Sequence, residues 1–355
     1  MAFFTARLFR DVTFYYVWAL IFGSMKKIIA LVTGGFTGES VISLKSAAVI
    51  SRNLDPEKFT VYKIIITPQS WHYEDQQGLK HEINKNDFTL SLEEEVIRFD
   101  AVFIGLHGSP GEDGKLQGYF DMLDLPYTTC DAITSAITMN KGYTKAIVQD
   151  VPELHVAKSV QLFSNTTDNV ARITKELQLP LFIKPNNGGS SIGMSKVKTA
   201  AELPEALQKA FAEDTQVLVE EFISGREFTI GIYRGTAGVQ VLPATEIVSS
   251  KEFFDFEAKY TAGVTDEITP GRMTPNEKES VERIARKVFE KLNCKGVTRI
   301  DYILQENSNH FYFIEINTVP GQSENSLIPQ QVRAAGRTIQ DFYTELIEAA
   351  LADKK

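Results

Sequence analysis

The stretch YFIEINTVPG, Tyr312 to Gly321, decides how the rest of the chain is read. It has the apolar character of a buried strand running into a turn, yet Glu315 and Asn317 interrupt it two residues apart. A strand sends every second side chain to one face, so these two polar groups are neighbours on the same side. Buried polar groups need partners. Just upstream, VTRIDYIL carries Arg299 and Asp301 with the same spacing, and QENSNH joins the two segments. A hairpin centred on Ser308 sets Asp301 opposite Glu315 and Arg299 opposite Asn317, all on one face. A slip of one residue would throw one pair to the other side.

An Asp, a Glu and an Asn brought together in this way are hard oxygen ligands. Glu315 is placed to bridge two ions, with Asp301 and Asn317 holding one each. Mg²⁺ suits them, because it binds through one or two carboxylates together with substrate phosphates, and no His/Cys cluster fit for zinc accompanies them. The plainer alternative is a surface hairpin with ordinary charged residues. Matched interruptions in both strands favour the metal.

A site of this kind wants a polyphosphate. In FIKPNNGGSSIGMSKV, Lys184 follows a strand, and the loop with Gly188, Gly189, Ser190, Ser191 and Gly193 can turn backbone N–H groups toward phosphate oxygens. No GxxxxGK[ST] loop occurs, and GGFTGES does not match GxGxxG. On its own, a Gly/Ser loop is more often a turn than a clamp. Lys141 in MNKGYTK is a second cation that by itself reads as a solvated helix lysine. In VLVEEFISGREF, Glu220, Glu221 and Glu227 stand around apolar Phe222 and Ile223, a mixture suited to an adenine slot with a carboxylate for the ribose.

The 355 residues are 43% hydrophobic, enough for two or three domains, and 46 acidic residues outnumber 37 basic ones. With no Lys/Arg tract, a nucleic-acid partner is not expected. Cys130 and Cys294 form no CxxC pair and suit a reducing compartment. Residues 1–24 resemble a short signal sequence but are too short in their apolar run to span a bilayer, and read as an extension outside the fold, with a natural start at Met25. No membrane association is expected. Alternating strands and helices make residues 25–127 a βαβ-type unit, 128–220 a second α+β unit, and 221–355 a third with longer antiparallel strands. One helical stretch covers AITSAITMNKGYTKAIVQDV, another ends at Leu179, and others span about Asn276–Leu292 and Ile339–Leu351. Ser249–Met273 shows no sustained period and reads as a lid.

These motifs, in this order, resemble the ATP-grasp superfamily and within it the D-alanine:D-alanine ligase family. The matching segments are GGFTGESVISL, LHGSPGEDGKLQG, MNKGYTK, KPNNGGSSIGMSKV, EEFISGREFT, FDFEAKY, GVTRIDY and EINTVPGQSENSLIP. The resemblance implies a three-domain α/β and α+β architecture with a Rossmann-like N-terminal domain and ATP between the central and C-terminal domains. It implies phosphate-binding roles for Lys141 and Lys184, with Gly189, Ser190, Ser191 and Lys259 beside them. Adenine and ribose contacts fall to Glu220, Phe222, Ile223 and Glu227, and the Mg²⁺ ligands are Asp301, Glu315 and Asn317, with Mn²⁺ as a substitute. Glu39 matches the acid that holds the first D-alanine's ammonium, Ser190 and Tyr260 complete its hydrogen-bonded set, and His107 lies close by. Arg299 faces the reacting carboxylate and transferred phosphate, while Ser326 and Leu327 meet the second substrate's carboxylate.

The implied activity joins two D-alanines through an acyl phosphate for peptidoglycan precursors, by a cytoplasmic homodimer. Tyr260, where some D-lactate-using relatives carry Phe, points to the dipeptide. Gln322 departs from the family, many members of which carry Met after PG. Two alternatives remain: a ligase of this superfamily with another acceptor such as D-lactate, and a non-catalytic nucleotide-binding regulator.

Overall fold

The structure, a computed structural model, describes residues 26–189, 192–249, 265–306 and 308–353. Three sheets organise it. The first contains β1 (Lys27–Gly34), β2 (Phe59–Ile66), β3 (Trp71–Glu74), β4 (Lys80–Asn84), β5 (Thr89–Leu92), β6 (Glu95–Ile97) and β7 (Ala101–Ile104), in the order β6-β5-β4-β3-β2-β1-β7. β1 pairs in parallel with β2 and β7, while β3 to β6 extend the sheet antiparallel. Ile29 to Val32 are buried on both faces of β1, as a central parallel strand requires. Helix α1 (Ser40–Asn53) crosses between β1 and β2, giving the expected βαβ unit.

Helix α2 (Lys115–Met122) closes this unit. α3 (Ala132–Met139) and α4 (Lys141–Val148) follow where a single helical stretch was expected. They separate at Asn140, whose extended backbone and side-chain acceptor for the Tyr143 N–H start a new helix. β8 (Leu154–Val156) then runs parallel to a strand of the third sheet. The second sheet, in the order β11-β10-β12-β9, is antiparallel and built from β9 (Ser159–Leu162), β10 (Leu181–Pro185), β11 (Ser195–Val197) and β12 (Val217–Glu221). Leu181, Ile183, Val217 and Val219 bury one face beneath α5 (Asp168–Glu176) and α6 (Leu203–Glu213). By period-two alternation, Phe182, Lys184 and Glu220 take the other face. α5 stops at Glu176, three residues short of the expected Leu179, before a cis Leu179–Pro180 bond.

The third sheet runs β16-β15-β13-β17-β18-β8, from β13 (Gly225–Gly235), β15 (Thr245–Ser249), β16 (Thr265–Ile268), β17 (Val297–Gln305) and β18 (Phe311–Asn317), with β14 (Gly238–Val241) folded against β13. Of the stretch read as an irregular lid, residues 265–268 form β16, paired with β15; residues 250–264 lie outside those described, as does the 1–24 extension. One face of the sheet packs on α7 (Pro275–Lys291), α3 and α4, and Leu154 of the edge strand β8 joins the same cluster. A capping box between Thr274 and Glu277, with Pro275 in the first turn, starts α7. On the other side, α8 (Leu327–Ala334) and α9 (Ile339–Ala352) join Tyr233 and Val297 to Ile29, Leu31 and Phe103 of the first sheet. The first and third sheets therefore share one core.

Candidate active site

β17 and β18 pair in the expected register where it matters: Arg299 lies opposite Asn317 and Asp301 opposite Glu315. Immediately beyond, Tyr302 pairs with Phe313, so Ile314 is an extra residue, a β-bulge. The bulge reverses parity along β18. Even-numbered Ile316 and odd-numbered Phe313 and Phe311 thereby share one core cluster, and Glu315 and Asn317 are left on the opposite face with Arg299 and Asp301.

That face forms one wall of a cleft of about 650 Å³, within the range that encloses a nucleotide-sized ligand. β10 and β12 supply the facing wall, and the loops after β1 and β7 close one end with Glu39, His107 and Glu112. Every sequence-derived candidate among the described residues lines it: Glu39, His107, Lys141, Lys184, Gly189, Glu220, Phe222, Ile223, Glu227, Arg299, Asp301, Glu315, Asn317, Ser326 and Leu327. Ser190, Ser191, Lys259 and Tyr260 lie outside the described residues.

Along the acidic wall, Arg299 donates to Asp301 at 3.0 Å from Nε and 2.9 Å from a terminal nitrogen, and Thr229 also donates to Asp301. Burial works against the Arg299 charge, but Asp301 more than compensates and raises its pKa. Lys141 Nζ lies 3.3 Å from Glu315 and donates at 2.5 Å to the Gly188 carbonyl. Asn317 Oδ1 is buried and has no hydrogen-bond donor among the described residues. An orphaned amide oxygen beside two carboxylates fits a magnesium site whose other positions belong to phosphate oxygens and water. No group of three or more His, Cys, Asp or Glu suited to a metal occurs among the described residues.

Across the cleft, Glu220 is 7% exposed and lies between two ammonium groups, accepting from Lys184 at 2.5 Å and from Lys145. Burial pushes the Glu220 carboxyl up; the two lysines outweigh it and hold the group at about 2. Lys145 was not singled out from the sequence, although it stands in MNKGYTK four residues after Lys141 and so shares its helix face. The aromatic rings of Phe182 and Phe222 meet edge to face at 5.6 Å in the part of the cleft suited to a base.

At the closed end, His107 contacts the Val319 carbonyl through Nδ1 at 2.7 Å and Ser46 Oγ through Nε2 at 2.9 Å. A carbonyl only accepts, so Nδ1 carries the proton and Nε2 accepts from the Ser46 hydroxyl. Burial lowers the His107 pKa, consistent with a neutral ring. Gly108 has φ +68, and a Cβ there would stand 2.5 Å from Glu39 Oε2, so glycine is needed for this approach. Glu112 accepts from the Gly108 N–H at 2.6 Å and the Val319 N–H at 3.3 Å, tying the first unit to the third. Burial and the Glu39 carboxylate push Glu112 up to about 8 against those bonds. It too lay unnoticed, inside LHGSPGEDGKLQG.

Three α/β bodies around a cleft with lysines on one wall and oxygen ligands on the other make up the ATP-grasp architecture, whose enzymes use ATP. Residues 28–130 match the family model described as D-ala D-ala ligase N-terminus, and 145–348 the one described as D-ala D-ala ligase C-terminus. Relatives named D-alanine--D-alanine ligase include one from Parabacteroides distasonis, 42% identical over 93% of this chain and 99% of that one. One from Flavobacterium johnsoniae is 40% identical over 92% of this chain and all of that one. Solved structures with the same fold include the VanG D-Ala:D-Ser ligase from Enterococcus faecalis, 31% identical, TM-score 0.82, over 92% of this chain and 100% of that chain. D-alanyl-alanine synthetase A from Vibrio cholerae is 27% identical, TM-score 0.83, over 92% and 99%. The chain belongs to the D-alanine--D-alanine ligase family.

Proposed function

We infer that this protein is an ATP-dependent ligase that joins two D-alanines into D-alanyl-D-alanine for peptidoglycan precursors. The observation that carries the reading is the orphaned Asn317 Oδ1 beside Asp301 and Glu315, facing a lysine-lined wall across the same cleft. Lys141 and Lys184 bind the ATP phosphates with Gly189, Ser190, Ser191 and Lys259. Glu220, Phe222, Ile223 and Glu227 hold the adenine and ribose. Asp301, Glu315 and Asn317 would hold two Mg²⁺, or Mn²⁺ in their place. When bound, the metal offsets phosphate charge as a Lewis acid.

Glu39 anchors the ammonium of the first D-alanine, with Ser190 and Tyr260 completing its hydrogen bonds and neutral His107 packed alongside. The first substrate's carboxylate attacks the γ-phosphorus of ATP. An acyl phosphate forms as the bond to ADP breaks, and Arg299 faces the charge that develops on the transferring group. Ser326 and Leu327, at the N-terminus of α8, receive the second D-alanine's carboxylate. Its amine attacks the acyl carbon, phosphate leaves, and the amide nitrogen gives up a proton. Because water would hydrolyse the acyl phosphate, the cleft must exclude solvent during turnover.

The described residues hold no helix long and apolar enough to cross a membrane, and an ATP-requiring reaction suits the cytoplasm. We also assign a homodimer and domain limits at 25–127, 128–220 and 221–355; within the second range, α3 and α4 pack on the third sheet and β8 is its edge strand. A second reading, with another acceptor, is favoured by the likeness to a D-Ala:D-Ser ligase structure. A non-catalytic regulator would not need Arg299, Asp301, Glu315 and Asn317 together. The test is purified protein with ATP, Mg²⁺ and D-alanine, identifying the product directly and comparing D-serine, D-lactate and L-alanine as acceptors. D-alanyl-D-alanine with one ADP per dipeptide is expected; a preference for D-serine over D-alanine would move the assignment to the second reading.

A further inference from the structure

Lys145 projects from α4 one turn beyond Lys141 and is 4% exposed. Its ammonium pairs with Glu220 Oε2, while Lys184 Nζ stands 2.5 Å from Oε1 of the same carboxylate. One buried acid is thus shared by two buried ammonium groups, and with all three ionised the trio carries one net positive charge. Lys141, by contrast, already faces Glu315. Without Lys145, Glu220 and Lys184 would close into a neutral pair that an incoming anion must disrupt. With it, the trio has one ammonium more than its own carboxylate can pair, and buried charges are costly until paired.

We propose that Lys145 is a positioning residue that takes up the charge of Glu220, leaving the Lys184 ammonium to a nucleotide phosphate. The proposal rests on the reading of this cleft as the ATP site. It makes Lys145 act through Glu220 rather than through the phosphate itself. Without Lys145, Glu220 keeps Lys184 as its partner and so keeps its charge and place beside the base, and the loss falls on the phosphates.

Calorimetric titration with adenosine and with ADP plus Mg²⁺ separates the two. Lys145→Met is expected to weaken ADP about tenfold to a hundredfold, the value of a charge-assisted hydrogen bond, and adenosine by less than about threefold. Lys145→Arg, which keeps the charge, should bind ADP within about fivefold of the parent. In a Glu220→Gln background the acid is gone, so adding Lys145→Met should alter ADP affinity by less than about threefold. That pair of variants tests the proposal even if Lys145→Met alone does not fold. Equal weakening of adenosine and ADP by Lys145→Met, or a full loss of ADP affinity on adding it to Glu220→Gln, would overturn the proposal. Failure of the unaltered protein to bind ADP would instead sink the nucleotide reading beneath it.

Discussion

Asn317 Oδ1 is an acceptor that the described protein buries and leaves without a donor, so a function has to compensate for it. Asn317→Leu removes that unpaired oxygen. It should leave stability within about 1 kcal/mol in chemical denaturation. The same variant should raise the Mg²⁺ concentration for half-maximal activity about tenfold or more, since one oxygen ligand is lost. Glu112 offers a second test at this scale. Its pKa is raised from the ordinary 4.5 to about 8. Between those values the folded chain keeps a proton that the unfolded chain has released, so this group makes stability fall as pH rises through the window. Below the window its contribution is flat. Glu112→Gln, neutral throughout, should lose that slope; thermal melts of both proteins from pH 4.5 to 8 would show parallel lines if the assignment is wrong.

At the scale of elements, the β17–β18 hairpin shows what the sequence makes legible. The paired register was readable because Arg299, Asp301, Glu315 and Asn317 break apolar runs, and parity alone then aligns them. The bulge at Ile314 was not, because Phe311 to Ile314 are all apolar or aromatic and carry no mark of which face each takes. The split at Asn140 had a local signal in its capping side chain, whereas β8, three residues long, had none that distinguished its sheet. Lys145 and Glu112 were hidden for another reason: a helix lysine and a loop acid look solvated until tertiary packing buries them. Phe313 owes its buried position to the bulge, with 2% exposure. Phe313→Ala should therefore cost about 3–5 kcal/mol in denaturant-induced unfolding, the usual cost for a core aromatic, and a cost under about 1 kcal/mol would place its ring outside the core.

At the scale of the molecule, the pattern of strands and helices anticipated three bodies but not how they share cores. α9, at the far end of the chain, sets Phe342, Tyr343 and Leu346 against Ile29, Leu31 and Phe103 of the first sheet. The unit 25–127 expressed alone would expose that surface and should lack a cooperative thermal transition, while a chain retaining α8 and α9 keeps it. The same packing fixes the loops bearing Glu39 and His107 against the Val319–Gln322 turn, where the Gln322 N–H donates to Ser46 Oγ at 3.1 Å. Three bodies thereby present one cleft, and the chemistry assigned to it depends on the acids of the hairpin. The most direct measurement is the rate of D-alanyl-D-alanine formation by the parent and by Glu315→Gln, at saturating ATP, D-alanine and Mg²⁺. The parent should make the dipeptide with one ADP each, and the variant about a hundredfold more slowly or worse. Equal rates, or no dipeptide from the parent, would contradict the account.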